Sequence, residues 1–256
     1  MKIGFFDSGL GGLVVMNSVR NLLPQYDYVF FGDTVNLPFG DKTEEEIFDL
    51  TRDGVERLFE EDCNLVLVAC NTASAETLRR LRDDWLEEEY PGRKLLGVIV
   101  PMVEEVLDCN AKKAVLIATT RTVSSCKYEQ LFAEYEDAPQ LVSIATPNLA
   151  PLIEAGKIEE AFYEVKDIAN EALKAGADSL ILGCTHYALL RPLLQEYCQA
   201  ESLMIFSPDQ IIPKKVLWYL ERHAEITDEL TLGGTLDVQL SKNRPEYKTF
   251  LQSLQN

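Results

Sequence analysis

The chain has 256 residues, enough for one large or two modest domains that each bury a core. An apolar content of 46% without a long uncharged apolar run argues against a membrane span, and the stretch from Lys2 to Phe6 reads as a strand too short for a signal peptide's apolar region, so the expected location is cytoplasmic. A formal charge of −18 argues against nucleic acid or an anionic membrane as partner, yet leaves room for a small anion held by backbone N–H groups.

Apolar runs predict strands at 3–6, 28–31, 65–69, 95–99, 115–118, 142–145, 180–182 and 203–206. Apolar residues at three- and four-residue spacing predict helices at 44–59, 75–89, 159–174 and 210–223. This alternation is the pattern of an α/β fold, with mostly parallel sheets flanked by helices. Val100-Pro101 and Ser207-Pro208 mark the expected crossings between domains, because proline restricts its predecessor and halts a regular pattern. One domain then takes 1–97 with 208–256, and the other takes 98–207.

Phe6-Asp7-Ser8-Gly9-Leu10-Gly11-Gly12 follows the first strand and precedes a helix opening near Leu13. Its glycines permit a tight turn with N–H groups free for an anion, and the same stretch also reads as a plain strand-to-helix turn capped by Asp7. Asp33 falls near where a ribose-binding acid would stand, which keeps a nucleotide-binding enzyme open as a reading. Gly32-Asp33-Thr34 with Pro38-Phe39-Gly40 lies just beyond the second strand, as a surface loop or as part of a site at a strand's carboxyl end.

Of the six cysteines, Cys63, Cys109, Cys126 and Cys198 read as small hydrophobes. None is spaced C-x-x-C and the only histidines are His186 and His223, so neither a disulfide framework nor a metal is expected. Cys70 and Cys184 stand apart. Leu67-Val68-Ala69-Cys70-Asn71-Thr72 echoes Ile181-Leu182-Gly183-Cys184-Thr185-His186: a strand, a cysteine at its carboxyl end, then polar residues where a helix would open. Ligands of open α/β sheets bind at such ends, so two pseudo-symmetric domains facing one cleft are expected.

Asn71, Thr72, Ser74, Thr185 and His186 offer donors and acceptors for an amino acid's carboxylates and ammonium. His186 can relay the proton of the adjoining thiol, or stand as a capping or core histidine, and Asp7 can serve the other thiol. Two thiols across one cleft fit inversion of a carbon centre without redox chemistry. One group removes a proton from one face while the other delivers a proton to the opposite face, and a thiol pKa of about 8.5 makes both protonation states accessible near neutrality.

Four ordered stretches resemble the glutamate racemase family of the aspartate/glutamate racemase superfamily. They are Asp7-Ser8-Gly9-Leu10-Gly11-Gly12, Gly32-Asp33-Thr34 with Pro38-Phe39-Gly40, Ala69-Cys70-Asn71-Thr72-Ala73-Ser74-Ala75, and Leu182-Gly183-Cys184-Thr185-His186-Tyr187. The resemblance implies two α/β domains with pseudo-twofold symmetry, an active site in the cleft between them, and often a homodimer. It also implies interconversion of L- and D-glutamate without a cofactor, as a supply of D-glutamate for peptidoglycan.

On this resemblance Cys70 acts on the D-enantiomer and Cys184 on the L-enantiomer, with Asp7 and His186 assisting. Substrate contacts carry over to Asp7, Ser8, Phe39, Gly40, Asn71, Thr72, Thr185 and His186, and Thr119, Thr122 and Glu154 are similar to further family positions. Ser74 stands where aspartate racemases tend to carry histidine, which points to glutamate. Departures from the family pattern are Asn36 for arginine, Phe39 for tyrosine, Ala188 for proline and Arg121 for a small residue, with expected effects on affinity, loop stiffness and rate. Two readings compete with glutamate racemization: racemization of aspartate or a hydantoin, and a catalytically silent ligand-binding protein on the same fold.

Overall fold

The computed structural model describes residues 1–199, 202–243 and 247. β1 (Lys2–Asp7) leads into α1 (Gly12–Leu22), β2 (Tyr28–Gly32), a short 3-10 turn (Phe39–Asp41) and α2 (Glu44–Glu60). β3 (Cys63–Val68) leads into α3 (Asn71–Arg80), which continues through a π-type stretch (Leu81–Leu86) into α4 (Glu87–Glu89), followed by β4 (Lys94–Gly97). Next come α5 (Ile99–Asp108), β5 (Lys113–Ala118), α6 (Thr120–Ser124), α7 (Lys127–Phe132), β6 (Gln140–Ala145), α8 (Leu149–Glu154) and α9 (Ile158–Lys174). β7 (Ser179–Gly183), a 3-10 segment (Thr185–Leu190), α10 (Arg191–Gln199), β8 (Met204–Phe206), α11 (Pro208–Arg222), α12 (Ala224–Thr227) and β9 (Leu236–Leu240) complete the order.

The strands form two sheets, in the orders β4-β3-β1-β2-β9 and β6-β5-β7-β8, and every strand pair is parallel. This is the α/β class expected from the alternation of runs. Because successive side chains of a strand point to opposite faces, each strand feeds two cores. In β1, Ile3 and Phe5 enter a central core while Phe6 enters an outer one. In β5, Ala114, Leu116 and Ala118 point into the same central core, and Val115 and Ile117 point outward under α8 and α9. The central core, filled from α1, α5, α7 and α11 as well, therefore binds the two sheets together.

Local signals account for several helix starts. Thr43 caps α2, its hydroxyl accepting from Glu46 N while the Glu46 carboxylate accepts from Thr43 N, and three acids in the first turn suit the positive end of the helix dipole. Pro208 opens α11 at a position whose N–H needs no partner.

Three expectations need correction. The fourth strand stops at Gly97 instead of Ile99, and Val100-Pro101 lies in the first turn of α5, where proline starts a helix instead of interrupting a pattern. The helix placed at 75–89 opens at Asn71, because Cys70 acts as its cap. A ninth strand, β9, lies outside the predicted set. Among the described residues no helix is long and apolar enough to cross a membrane.

Candidate active site

Parallel strands bring their carboxyl ends to one side of a sheet, and here the ends of β1, β3, β5 and β7 meet at one pocket of about 290 Å³. That volume is close to the low end for small-molecule sites. Cys70, after β3, and Cys184, after β7, both line it and are both buried. The two thiols thus come from different sheets. A second cavity, of about 320 Å³ and lined by Leu67, Leu95, Val100, Ile212 and Trp218, holds no cysteine or histidine.

Cys70 caps α3, its sulfur accepting from Ala73 N at 3.4 Å and sharing a hydrogen bond with Ser8 Oγ at 3.2 Å. Burial, reinforced by the neighbouring Asp7 carboxyl, pushes the Cys70 thiol up to about 12. Cys184 Sγ lies 3.6 Å from His186 Nδ1, and His186 Nε2 lies 2.9 Å from Glu154 Oε1. Burial opposes a charge on His186, but the hydrogen bonds to Cys184 and Glu154 win and hold its pKa well above the ordinary imidazole value. One thiol is therefore flanked by neutral donors and a carboxyl, the other by a cationic ring.

The glycine turn does structural work at this junction. A Cβ on Gly11 would lie 2.4 Å from Thr185 Oγ1 and 2.7 Å from His186 Nδ1, so only glycine lets the start of α1 pass beneath the second cysteine motif. Asp7 accepts from Gly9 N at 3.0 Å and from Thr185 Oγ1 at 3.4 Å, and burial raises its pKa. With Asp7 using the turn's N–H groups and Asn36 Nδ2 donating to both Asp33 oxygens at 3.0 and 2.9 Å, the nucleotide reading loses both its phosphate cradle and its ribose acid. Ser241, just past β9, also donates to Asp33 Oδ1 at 2.9 Å and accepts from Val35 N, tying the loop that leads to Phe39.

Of the residues expected at the site, Ser8, Phe39, Gly40, Asn71 and Thr72 line the pocket from the first sheet's side, and Thr119, Glu154, Thr185 and His186 from the second's. Asp7 and Thr122 are buried behind this wall. Thr122 joins Thr119 and Thr72 in a ring of hydroxyls with contacts of 2.9 to 3.1 Å. Phe39 presents apolar surface and packs its ring against Phe6.

Ser74 needs correction as a ligand donor. Its hydroxyl donates to Val68 O at 2.7 Å, because the fourth helical position of α3 faces the sheet and not the pocket. Sequence reasoning also misses Leu37, Asp41, Thr120, Pro147, Ala150 and Pro151 on the wall, and Tyr128, whose hydroxyl donates to Asn71 Oδ1. Pro147 follows β6, so the strand-end rule could have found it. Nothing local marks Tyr128. Among the described residues no group of three His, Cys, Asp or Glu side chains is arranged to hold a metal ion.

Comparison with known proteins follows the same outline. The chain is 34% identical over 236 residues to the glutamate racemase of Roseobacter denitrificans, covering 87% of this chain and 86% of that one. Its structure is similar to that of a glutamate racemase isoform from Bacillus anthracis, with a TM-score of 0.82, 28% identity, and coverage of 98% and 92%. It is also similar to Escherichia coli glutamate racemase, solved in complex with L-glutamate and an activator, with a TM-score of 0.76, 27% identity, and coverage of 99% and 94%. Residues 22–210 match the model of the Asp/Glu/Hydantoin racemase family, and the chain belongs to that family.

Proposed function

We propose that this chain is an isomerase that interconverts L- and D-glutamate without a cofactor, with Cys70 and Cys184 as the two acid/base groups. One observation carries the reading: thiols from two different sheets line the same small pocket. The names of the most similar relatives support glutamate as the substrate.

From L-glutamate, the thiolate of Cys184 takes the α-proton and the thiol of Cys70 gives its own proton to the opposite face. The reverse transfer starts from D-glutamate. His186 Nδ1, 3.6 Å from Cys184 Sγ, is placed to return or accept that sulfur's proton, and the Glu154 carboxylate orients the ring from its far side. Cys70, kept protonated by burial, is the ready acid for the L-to-D direction. The α-proton is far less acidic than a thiol, so fixed donors around the pocket and exclusion of water must stabilise the carbanion.

We further propose that residues 1–97 with 208–256 and residues 98–207 form two pseudo-symmetric domains, and that the protein acts in the cytoplasm as a homodimer supplying D-glutamate for peptidoglycan. Incubation with each enantiomer in deuterium oxide tests the chemistry. Solvent deuterium should appear at the α-carbon of both glutamate enantiomers. Exchange into neither, or a clear preference for aspartate over glutamate, overturns the reading.

A further inference from the structure

Asn71 opens α3 directly after Cys70, lines the pocket and is almost wholly buried. Its Oδ1 accepts a hydrogen bond of 2.9 Å from the hydroxyl of Tyr128, a buried residue of α7. Its Nδ2 has no hydrogen-bond partner among the described residues. A primary amide can be turned end for end with little change of shape, so its orientation must be decided by its neighbours. Were Asn71 reversed, Nδ2 would donate to the Tyr128 oxygen, and the Tyr128 O–H would then need another acceptor. Among the described residues that hydroxyl makes no other hydrogen bond and the ring is fully buried. A buried O–H without an acceptor is costly, which selects the observed orientation.

We propose that Tyr128 is a positioning residue that locks Asn71 with its amide nitrogen, not its oxygen, presented as a donor to a substrate carboxylate. The inference rests on the amino-acid reading of the pocket given above. Burial raises the Tyr128 pKa, so the hydroxyl keeps the proton it donates across the whole working range of pH. The lock spans the cleft: Asn71 follows a strand of the first sheet, while Tyr128 sits on a helix that follows β5 of the second. A carboxylate offers only acceptors, so an amide held with its NH2 toward it is complementary and a reversed amide is not. Presetting that orientation removes a reorganisation step from binding.

Tyr128→Phe removes only the hydroxyl and keeps the buried ring. In this variant KM for both glutamate enantiomers should rise about fivefold or more while kcat stays within about threefold, since the amide is no longer preset. Asn71→Asp, which keeps an acceptor for Tyr128 but turns a carboxylate toward the substrate, should raise KM far more, about a hundredfold.

Side-chain amide spectra of 15N-labelled protein give a readout that needs no turnover. The Asn71 NH2 pair, identified by its loss in Asn71→Ala, should exchange slowly with solvent in the free protein, show a contact to the Tyr128 hydroxyl, and shift on addition of D-glutamate. In Tyr128→Phe the pair should exchange faster. An unchanged KM in a racemizing Tyr128→Phe, or an Asn71 NH2 signal indifferent to D-glutamate, overturns the proposal. A wild-type protein that shows the locked amide yet exchanges deuterium into neither enantiomer counts against the racemase reading and leaves the lock standing.

Discussion

The Cys70 and Cys184 half-sites share a frame and differ in surroundings. Each cysteine lies just past a parallel strand and precedes a helical segment, and both sulfurs line one pocket, although Cys70 caps its helix and Cys184 makes no such bond. Around Cys70, burial and the Asp7 carboxyl favour a protonated sulfur and outweigh the Ser8 hydroxyl and the Ala73 N–H, whose hydrogen bonds favour the thiolate. Around Cys184 the neighbour is an imidazole whose pKa is held up by its hydrogen bonds to Cys184 itself and to Glu154. The difference teaches that two cysteines at similar strand ends can sit in chemically unlike surroundings, which is what the proposed exchange between one proton donor and one proton acceptor would need.

The most severe way to break this comparison is to remove either sulfur. Cys70→Ser and Cys184→Ser should each lower kcat for racemization by about a thousandfold, measured by circular dichroism, because each direction uses both groups. A variant that kept near-normal racemization would show that its sulfur is not a proton carrier. Gly11→Ala comes next. The added methyl would press into Thr185 and His186, and displacing the second half-site should cost about a hundredfold in kcat.

His186 sharpens the comparison through pH. Its folded pKa lies well above the ordinary value of 6.5, so its stabilising charge is fully present below pH 6.5 and is lost as pH rises through the raised folded value. Thermal melts of the wild type should therefore fall with pH above 6.5, and His186→Gln should flatten that limb while lowering kcat about tenfold. A pH dependence identical in both proteins would mean that the ring is not charged in the fold.

The bond between the two halves is also testable. Arg121 grips Glu76 with two contacts, 2.7 and 2.9 Å, joining α6 to α3 one turn from the hydroxyl ring of Thr72, Thr119 and Thr122. The Glu76 side chain is only 6% exposed and that of Arg121 29%, so the value lies between surface and buried pairs. Arg121→Ala should cost about 1–3 kcal/mol in denaturant unfolding, and Glu76→Gln in the same background should add little. The smallest effect concerns Asp7. Its folded pKa is raised above 3.8, so stability present below that value is lost as pH rises through the folded pKa, above which the buried charge is a burden. Asp7→Asn should raise Tm by about 2–4 °C at pH 7 while slowing catalysis.

Much of this is legible in the residues because apolar runs that end in a polar side chain mark both a strand and its carboxyl end. Cys70 and Cys184 stand out in that way; Thr119 after β5 and Thr146-Pro147 after β6 could have done so, although Thr119 is singled out only through the family resemblance. Ser74 misleads because closeness in sequence to Cys70 is not closeness in space once a helix turns its fourth residue toward the sheet. β9 has the alternation Leu236, Val238, Leu240, but the signal is brief and half exposed beside Gly233-Gly234. Tyr128 is hidden because a tyrosine on a short amphipathic helix looks like any core residue, and its partner lies 57 positions earlier. Arg121 draws attention only as a departure from the family, and its partner Glu76 supplies the reason that a long side chain fits there.

The position of β9 bears on the order in which a ribosome-bound chain matures. It pairs with β2 along the edge of the first sheet, and the residues just after it hold the loop at Asp33, Thr34 and Val35. Until synthesis has passed Lys242, β2 has an unpaired flank and that loop lacks its tie, so a nascent or truncated chain exposes a sticky edge beside an unfinished pocket. The loop beside the pocket thus waits for a tie, Ser241, that is made 208 positions after the Asp33 it holds.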